Sequence, residues 1–193
     1  MTNGVKRRFF WTEQISLHAG SVKTSFDAAE KSERPIAITH ANPSDYVGFD
    51  IELNRRNKPT DLIQLVVERG RVIGLNLYPK IMRGGSNSTR NDFWDMVERS
   101  VGKFRIDAVG FGIDYYTDYS EDALAWWRAG HWARQSPLRS PNKLFSWPGW
   151  FRSPEDLPDL LEELGKRSFS ESDIAKISGG NWLRLYKESF VSR

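Results

Sequence analysis

A chain of 193 residues, 39% hydrophobic and 27% charged, has the length and composition of one globular domain and offers little case for two. The absence of cysteine excludes a disulfide framework, a thiol nucleophile and thiolate metal sites, and no apolar run approaches the roughly 20 residues of a spanning helix. A net charge of +3 would suit nucleic acid only if the basic residues clustered; instead Glu163, Lys166, Arg167, Glu171, Asp173 and Lys176 alternate in sign, as on a solvated surface.

Residues 1–14 carry Lys6, Arg7 and Arg8 before the apolar patch Phe9-Phe10-Trp11. That patch is too short for the apolar centre of a signal peptide, so a cytoplasmic chain is expected. Ile15-Ser16-Leu17 is a short strand candidate ending at His18. Residues 24–31 have helical composition, and Pro35 separates them from the apolar run Ile36-Ala37-Ile38-Thr39-His40. A second unit starts at Pro59-Thr60, places Leu62, Leu65 and Val66 on one face, stops at Gly70 and leads into Val72-Ile73-Gly74-Leu75-Asn76-Leu77. A third starts at Ser88-Thr89, carries Phe93, Met96 and Val97, ends near Gly102 and leads into residues 106–112. Apolar runs without polar alternation suit strands buried on both faces, and their alternation with helices predicts a parallel α/β sheet. A loop rich in Trp, Pro and Ser fills residues 115–154; short helices follow over 154–164 and 171–177, then a Gly179-Gly180 hinge and a last helix over 181–190.

Three residues stand where predicted strands end: His18, His40 and Asp114. Ligands gather at that edge of parallel α/β sheets and barrels. Neutral imidazole is a good zinc ligand, and a carboxylate beside an activated water can take its proton. Spacing alone leaves open that His40 is a hydrogen-bonded core histidine and Asp114 a turn cap. Asn54-Arg55-Arg56-Asn57 lies in the loop after the second strand. A guanidinium there suits a carboxylate, although Arg on a loop can also serve solubility alone. No Gly-rich phosphate loop or Gly-x-Ser-x-Gly elbow is present, and Lys176-Ile177-Ser178-Gly179-Gly180-Asn181 reads as a helix C-cap.

The order of several segments resembles the membrane (renal) dipeptidase family, a zinc branch of the amidohydrolase-type barrels. Ser32-Glu33-Arg34-Pro35-Ile36-Ala37-Ile38-Thr39-His40-Ala41-Asn42-Pro43 is similar to the family's segment around a zinc-binding His. Arg55-Arg56-Asn57, the run LVVERGRVIGLNLYP over residues 65–79, and Val109-Gly110-Phe111-Gly112-Ile113-Asp114 follow in the family's order. Pro154-Glu155-Asp156-Leu157-Pro158 through Gly179-Gly180-Asn181-Trp182-Leu183-Arg184 resembles its closing signature, and Trp126-Trp127-Arg128-Ala129-Gly130-His131-Trp132 with Trp150-Phe151-Arg152 resembles a bacterial subfamily. The resemblance implies the C-terminal half of a (β/α)8 TIM-type barrel over residues 15–193, with about four strands and a C-terminal helical tail; residues 1–14 match nothing in the family.

Residue by residue, it implies that His40 and His18 are metal ligands in a zinc centre that is binuclear in the family. Arg56 would hold the terminal carboxylate of a dipeptide, and Asp114 would take a proton from the metal-bridging hydroxide and deliver it to the leaving amine. The sequence departs from the pattern in the spacing of His18 and His40, which is one residue longer, in Tyr116 where a second Asp is usual, and in His131 where Arg is expected. The family's His-x-Asp pair and bridging Glu have no counterpart here. At most partial zinc occupancy is therefore expected, with a homo-oligomer or a missing N-terminal half completing the barrel. The alternative expectation is a non-catalytic fragment that binds small peptides or a partner chain.

Overall fold

The apolar runs after Pro35, Arg71 and Arg105 come together side by side in a computed structural model, which describes residues 27, 30–31, 35–47, 56–113, 115, 120, 122–123 and 147–190. Strands β1 (Ile73–Leu75) and β2 (Val109–Phe111) pair in parallel, Ile73 opposite Val109 and Leu75 opposite Phe111. Ile38 bridges to Ile73, also in parallel: its N–H donates to Val72 O at 3.0 Å and its carbonyl accepts from Gly74 N at 2.7 Å. The parallel arrangement is the expected one, but each run contributes less strand than its apolar length suggests. Residues Ile106–Ala108 form a 3-10 turn instead. Beyond Leu75 the backbone of Asn76 is claimed by the side chain of Asn42, not by a neighbouring strand.

Helix α1 (Ser44–Val47), which the sequence pattern did not announce, buries Tyr46, whose ring lies beneath the guanidinium groups of Arg83 and Arg99, 6.0 and 5.6 Å from its centroid. Helix α2 (Thr60–Glu68) buries Leu62, Ile63, Val66 and Val67, and α3 (Arg90–Phe104) buries Phe93, Trp94, Met96, Val97 and Phe104. These stripes share one core with Ile38, Ile73, Leu75 and Val109. Each such aliphatic or aromatic side chain removed from water contributes about 1.5–3 kcal/mol before chain entropy is counted. The Phe93 and Trp94 rings lie 5.9 and 6.3 Å from that of Phe111. Thr89 opens α3 with a capping box: its hydroxyl accepts from Asp92 N at 3.1 Å while Asp92 accepts from Thr89 N at 2.7 Å. Gly70, at φ 72°, ends α2 as expected. Helix α3 ends near Gly102, as expected, with buried Phe104 its last residue and Arg105, at φ 69°, taking the positive-φ position.

Among residues 24–31, Asp27, Glu30 and Lys31 are helical, and the others lie outside the described residues, as does the candidate strand at 15–17. The C-terminal helices form as α4 (Leu157–Lys166, entered through a 3-10 turn at Pro154–Asp156), α5 (Glu171–Ala175) and α6 (Asn181–Phe190). The stretch expected as a C-cap is a π turn, Lys176–Gly180, because Asn181 N donates to Lys176 O and carries the chain from α5 into α6 across a kink at Gly179.

Helix α6 closes the N-terminal edge of the sheet. Buried Asn181 donates through Nδ2 to Ile106 O at 2.7 Å and Val109 O at 2.8 Å. Arg184 donates to Gly70 O at 2.6 Å and Asp107 O at 2.8 Å, just ahead of β1 and β2. Between them Trp182 lies on Gly74 and Gly110, where any Cβ would come within 2.7 Å of the indole. No helix among the described residues is long and apolar enough to cross a membrane.

Candidate functional site

With the N-terminal edge sealed by α6, the C-terminal edge is where the chemistry-bearing side chains gather. His40 follows Ile38 by two residues and turns the chain at φ 57°, a left-handed conformation uncommon for a residue with a side chain. Its ring is half-buried, not enclosed in the core, and Nδ1 lies 2.9 Å from Thr39 Oγ1. With the proton on Nδ1, the ring donates to Thr39 and keeps the Nε2 lone pair for a ligand, the arrangement a metal-binding imidazole needs. A Cβ on Gly112 would lie 2.9 Å from His40 N and 2.8 Å from Thr39 Oγ1, so the segment leading to Asp114 runs against the His40 turn. Asp114 itself lies outside the described residues, as do His18, His131 and residues 126–132. His40 therefore fits a metal as one ligand; among the described residues no group of three His, Cys, Asp or Glu could complete a set.

Arg56 stands at the same edge, half-buried, with its guanidinium 5.7 Å from the centroid of the Tyr78 ring. That cation–π contact lays the planar guanidinium over the Tyr78 ring. The Arg56 carbonyl accepts from Lys58 Nζ at 2.9 Å. Lys58 is almost wholly buried, and burial, reinforced by the neighbouring Arg56 charge, pushes its pKa down to about 8. Trp147 meets Tyr78 edge-on at 6.0 Å and Tyr115 at 5.2 Å, and Tyr115 meets Phe151 at 5.7 Å. An aromatic wall thus runs from the Arg56 loop toward the residue after Asp114.

Of the strand-end residues His18, His40 and Asp114, the structure describes His40 alone, and it sets Arg56 from the following loop at the same sheet edge. Asn42, Asn57 and Asn76, in the segments that carry or follow both residues, are buried and hydrogen-bonded to one another, and strand ends alone do not single them out. The signal available was modest: Asn76 interrupts an apolar run and Asn42 follows His40 immediately before Pro43.

The same architecture occurs in solved structures. An amidohydrolase from Pseudomonas aeruginosa matches with a TM-score of 0.74 at 23% identity, over 86% of this chain and 49% of that one. A metallo peptidase from Rhodobacter sphaeroides, liganded with a phosphinate mimic of the dipeptide L-Ala-D-Ala, matches with a TM-score of 0.64 at 17% identity, over 87% of this chain and 40% of that one. The probable dipeptidase PvdM from Pseudomonas aeruginosa matches with a TM-score of 0.63 at 19% identity, over 86% and 48%. The chain thus spans half or less of the length of each of these structures. At these identities the likeness shows a shared fold. A family model, Membrane dipeptidase (Peptidase family M19), matches residues 15–123, and the chain belongs to this family.

Proposed function

We propose that this chain is a dipeptidase by descent, cleaving dipeptides with the help of zinc at the C-terminal edge of its sheet. The observation that carries this reading is the placement of His40 and Arg56 at the C-terminal edge of the sheet: an imidazole whose Nδ1 is tied to Thr39, and a guanidinium lying over an aromatic ring. Arg56 would hold the terminal carboxylate through charge-assisted hydrogen bonds. His40 would bind zinc through Nε2, with His18 as a second ring ligand. Zinc, when bound, would polarise the scissile carbonyl and make water a nucleophile near neutral pH. Asp114 would accept the proton of that water and deliver it to the leaving amine. The aromatic wall would exclude water from the substrate side chains.

In this reading the sheet corresponds to the C-terminal half of a (β/α)8 barrel, consistent with matches covering 40–49% of the solved structures. A homo-oligomer or a further chain would supply the remaining ligands, and a cysteine-free composition suits the cytoplasm. The test is zinc content per purified chain alongside turnover of a dipeptide panel. Bound zinc with turnover that Asp114→Asn abolishes and Arg56→Lys weakens through KM is the expected result. Less than one zinc per chain and no turnover would overturn it and leave peptide binding without hydrolysis as the better reading.

A further inference from the structure

Asn42, two residues after His40, has no exposed surface. Its side-chain amide pairs with the backbone of Asn76 in both directions: Nδ2 donates to Asn76 O at 2.8 Å, and Oδ1 accepts from Asn76 N at 2.8 Å. Nδ2 also donates to Ile81 O at 3.0 Å. The main chain of Asn42 is held from another side, donating from N to Asn57 Oδ1 at 3.0 Å and accepting at O from Lys58 N at 2.9 Å. Asn57 Nδ2 reaches the same Ile81 carbonyl at 3.3 Å. Asn76 Oδ1 in turn accepts from Tyr78 N at 2.7 Å.

One residue therefore joins three chain segments that carry His40, Arg56 and Tyr78. An apolar side chain would fill the same volume but leave Asn76 N and O buried without partners, which costs more than the net gain of any one hydrogen bond. Its partners are backbone groups with fixed directions, so the network admits one register between the segments. An arrangement needed only for burial could use aliphatic packing; an amide ladder at this edge locks relative positions.

We propose that Asn42 is a positioning residue of the site, setting Arg56 and its Tyr78 platform at a fixed distance from His40. This rests on the reading that Arg56 receives the substrate carboxylate. The test compares binding of a reduced-bond analogue of Ala-Ala, which cannot be hydrolysed, with binding of its C-terminal amide, by calorimetry on the full chain. The wild-type chain should prefer the free acid by about tenfold, the worth of a charge-assisted contact. Asn42→Asp keeps the Oδ1 acceptor but replaces the Nδ2 donors with an oxygen, and should bring the acid-to-amide ratio close to one while leaving amide affinity in place. A variant that retains the wild-type ratio, whatever its melting temperature, overturns the positioning role and leaves the Arg56 reading standing. A wild-type chain with no preference for the acid overturns both. Should Asn42→Asp fail to show cooperative melting, Asn57→Ala is read by the same ratio: its loss supports the proposal and its retention refutes it.

Discussion

Trp182 donates its indole N–H to the carbonyl of Phe111 at 2.9 Å, which lays the ring flat enough on the sheet that only glycine fits beneath it. The closing helix is thereby fastened to β2 by a directed bond and by shape. Gly74 and Gly110 are cross-strand partners in the β1–β2 register, so the indole covers a two-residue groove built by both strands.

Gly110→Ala tests this contact. The added Cβ would sit 2.7 Å from Trp182 Nε1, and a rigid indole held by its own hydrogen bond cannot move aside without losing it. A loss of about 1–3 kcal/mol in urea unfolding is expected. Trp182→Ala should remove most of the added penalty, so the double variant should lose less than the sum of the single ones.

Asn181 offers a second test at the same edge. Its Nδ2 serves two carbonyls, those of Ile106 and Val109, and Asn181→Ala strands both acceptors for a cost of about 2–3 kcal/mol. Asn181→Asp should be worse at neutral pH, because it turns a carboxylate oxygen toward two carbonyl oxygens. Denaturant midpoints at pH 7 for the two variants give the comparison, and equal midpoints would remove the donor argument.

Lys58 makes stability depend on pH in a defined window. Its pKa falls from an ordinary 10.5 to about 8 on folding, chiefly through burial. Between those values the unfolded chain binds more protons than the folded one, so stability rises with pH across about 8 to 10.5 and is lower, and flat in this respect, below 8. Lys58→Met should abolish that slope. The difference between variant and parent, followed by denaturant unfolding from pH 7 to 10.5, isolates the lysine from every other titrating group.

Local features were legible in the sequence because their causes are local. Ser88-Thr89 and Pro59-Thr60 mark helix starts by residues at the start itself, and Gly70 stops α2 by its own backbone freedom. The strand-end placement of His40 was legible for a similar reason, since an apolar run must end somewhere and a parallel sheet brings such ends together. Strand lengths were not, because the amide of Asn42 takes the backbone of Asn76 away from strand pairing, and the one local sign, an Asn inside an apolar run, does not name its partner 34 residues away. The glycines at 74 and 110 carry no sign of Trp182 for the same reason: the partner lies far along the chain and the requirement is one of space.

Thr39 provides the sharpest test of the metal assignment. Its Oγ1 is the partner of His40 Nδ1 at 2.9 Å, and a ring that donates there presents Nε2 as a lone pair. Thr39→Val keeps the β-branched shape but removes the oxygen, freeing the ring to rotate and to place its proton on Nε2. If His40 binds zinc as proposed, zinc affinity measured against a chromogenic chelator should fall by about tenfold or more. The unfolding midpoint of the metal-free chain should change little, because the residue is only half-buried and valine keeps its shape. Unchanged zinc affinity would mean that the Thr39 hydroxyl does not select the binding tautomer, and His40 would then serve the backbone turn at the strand end and not the metal.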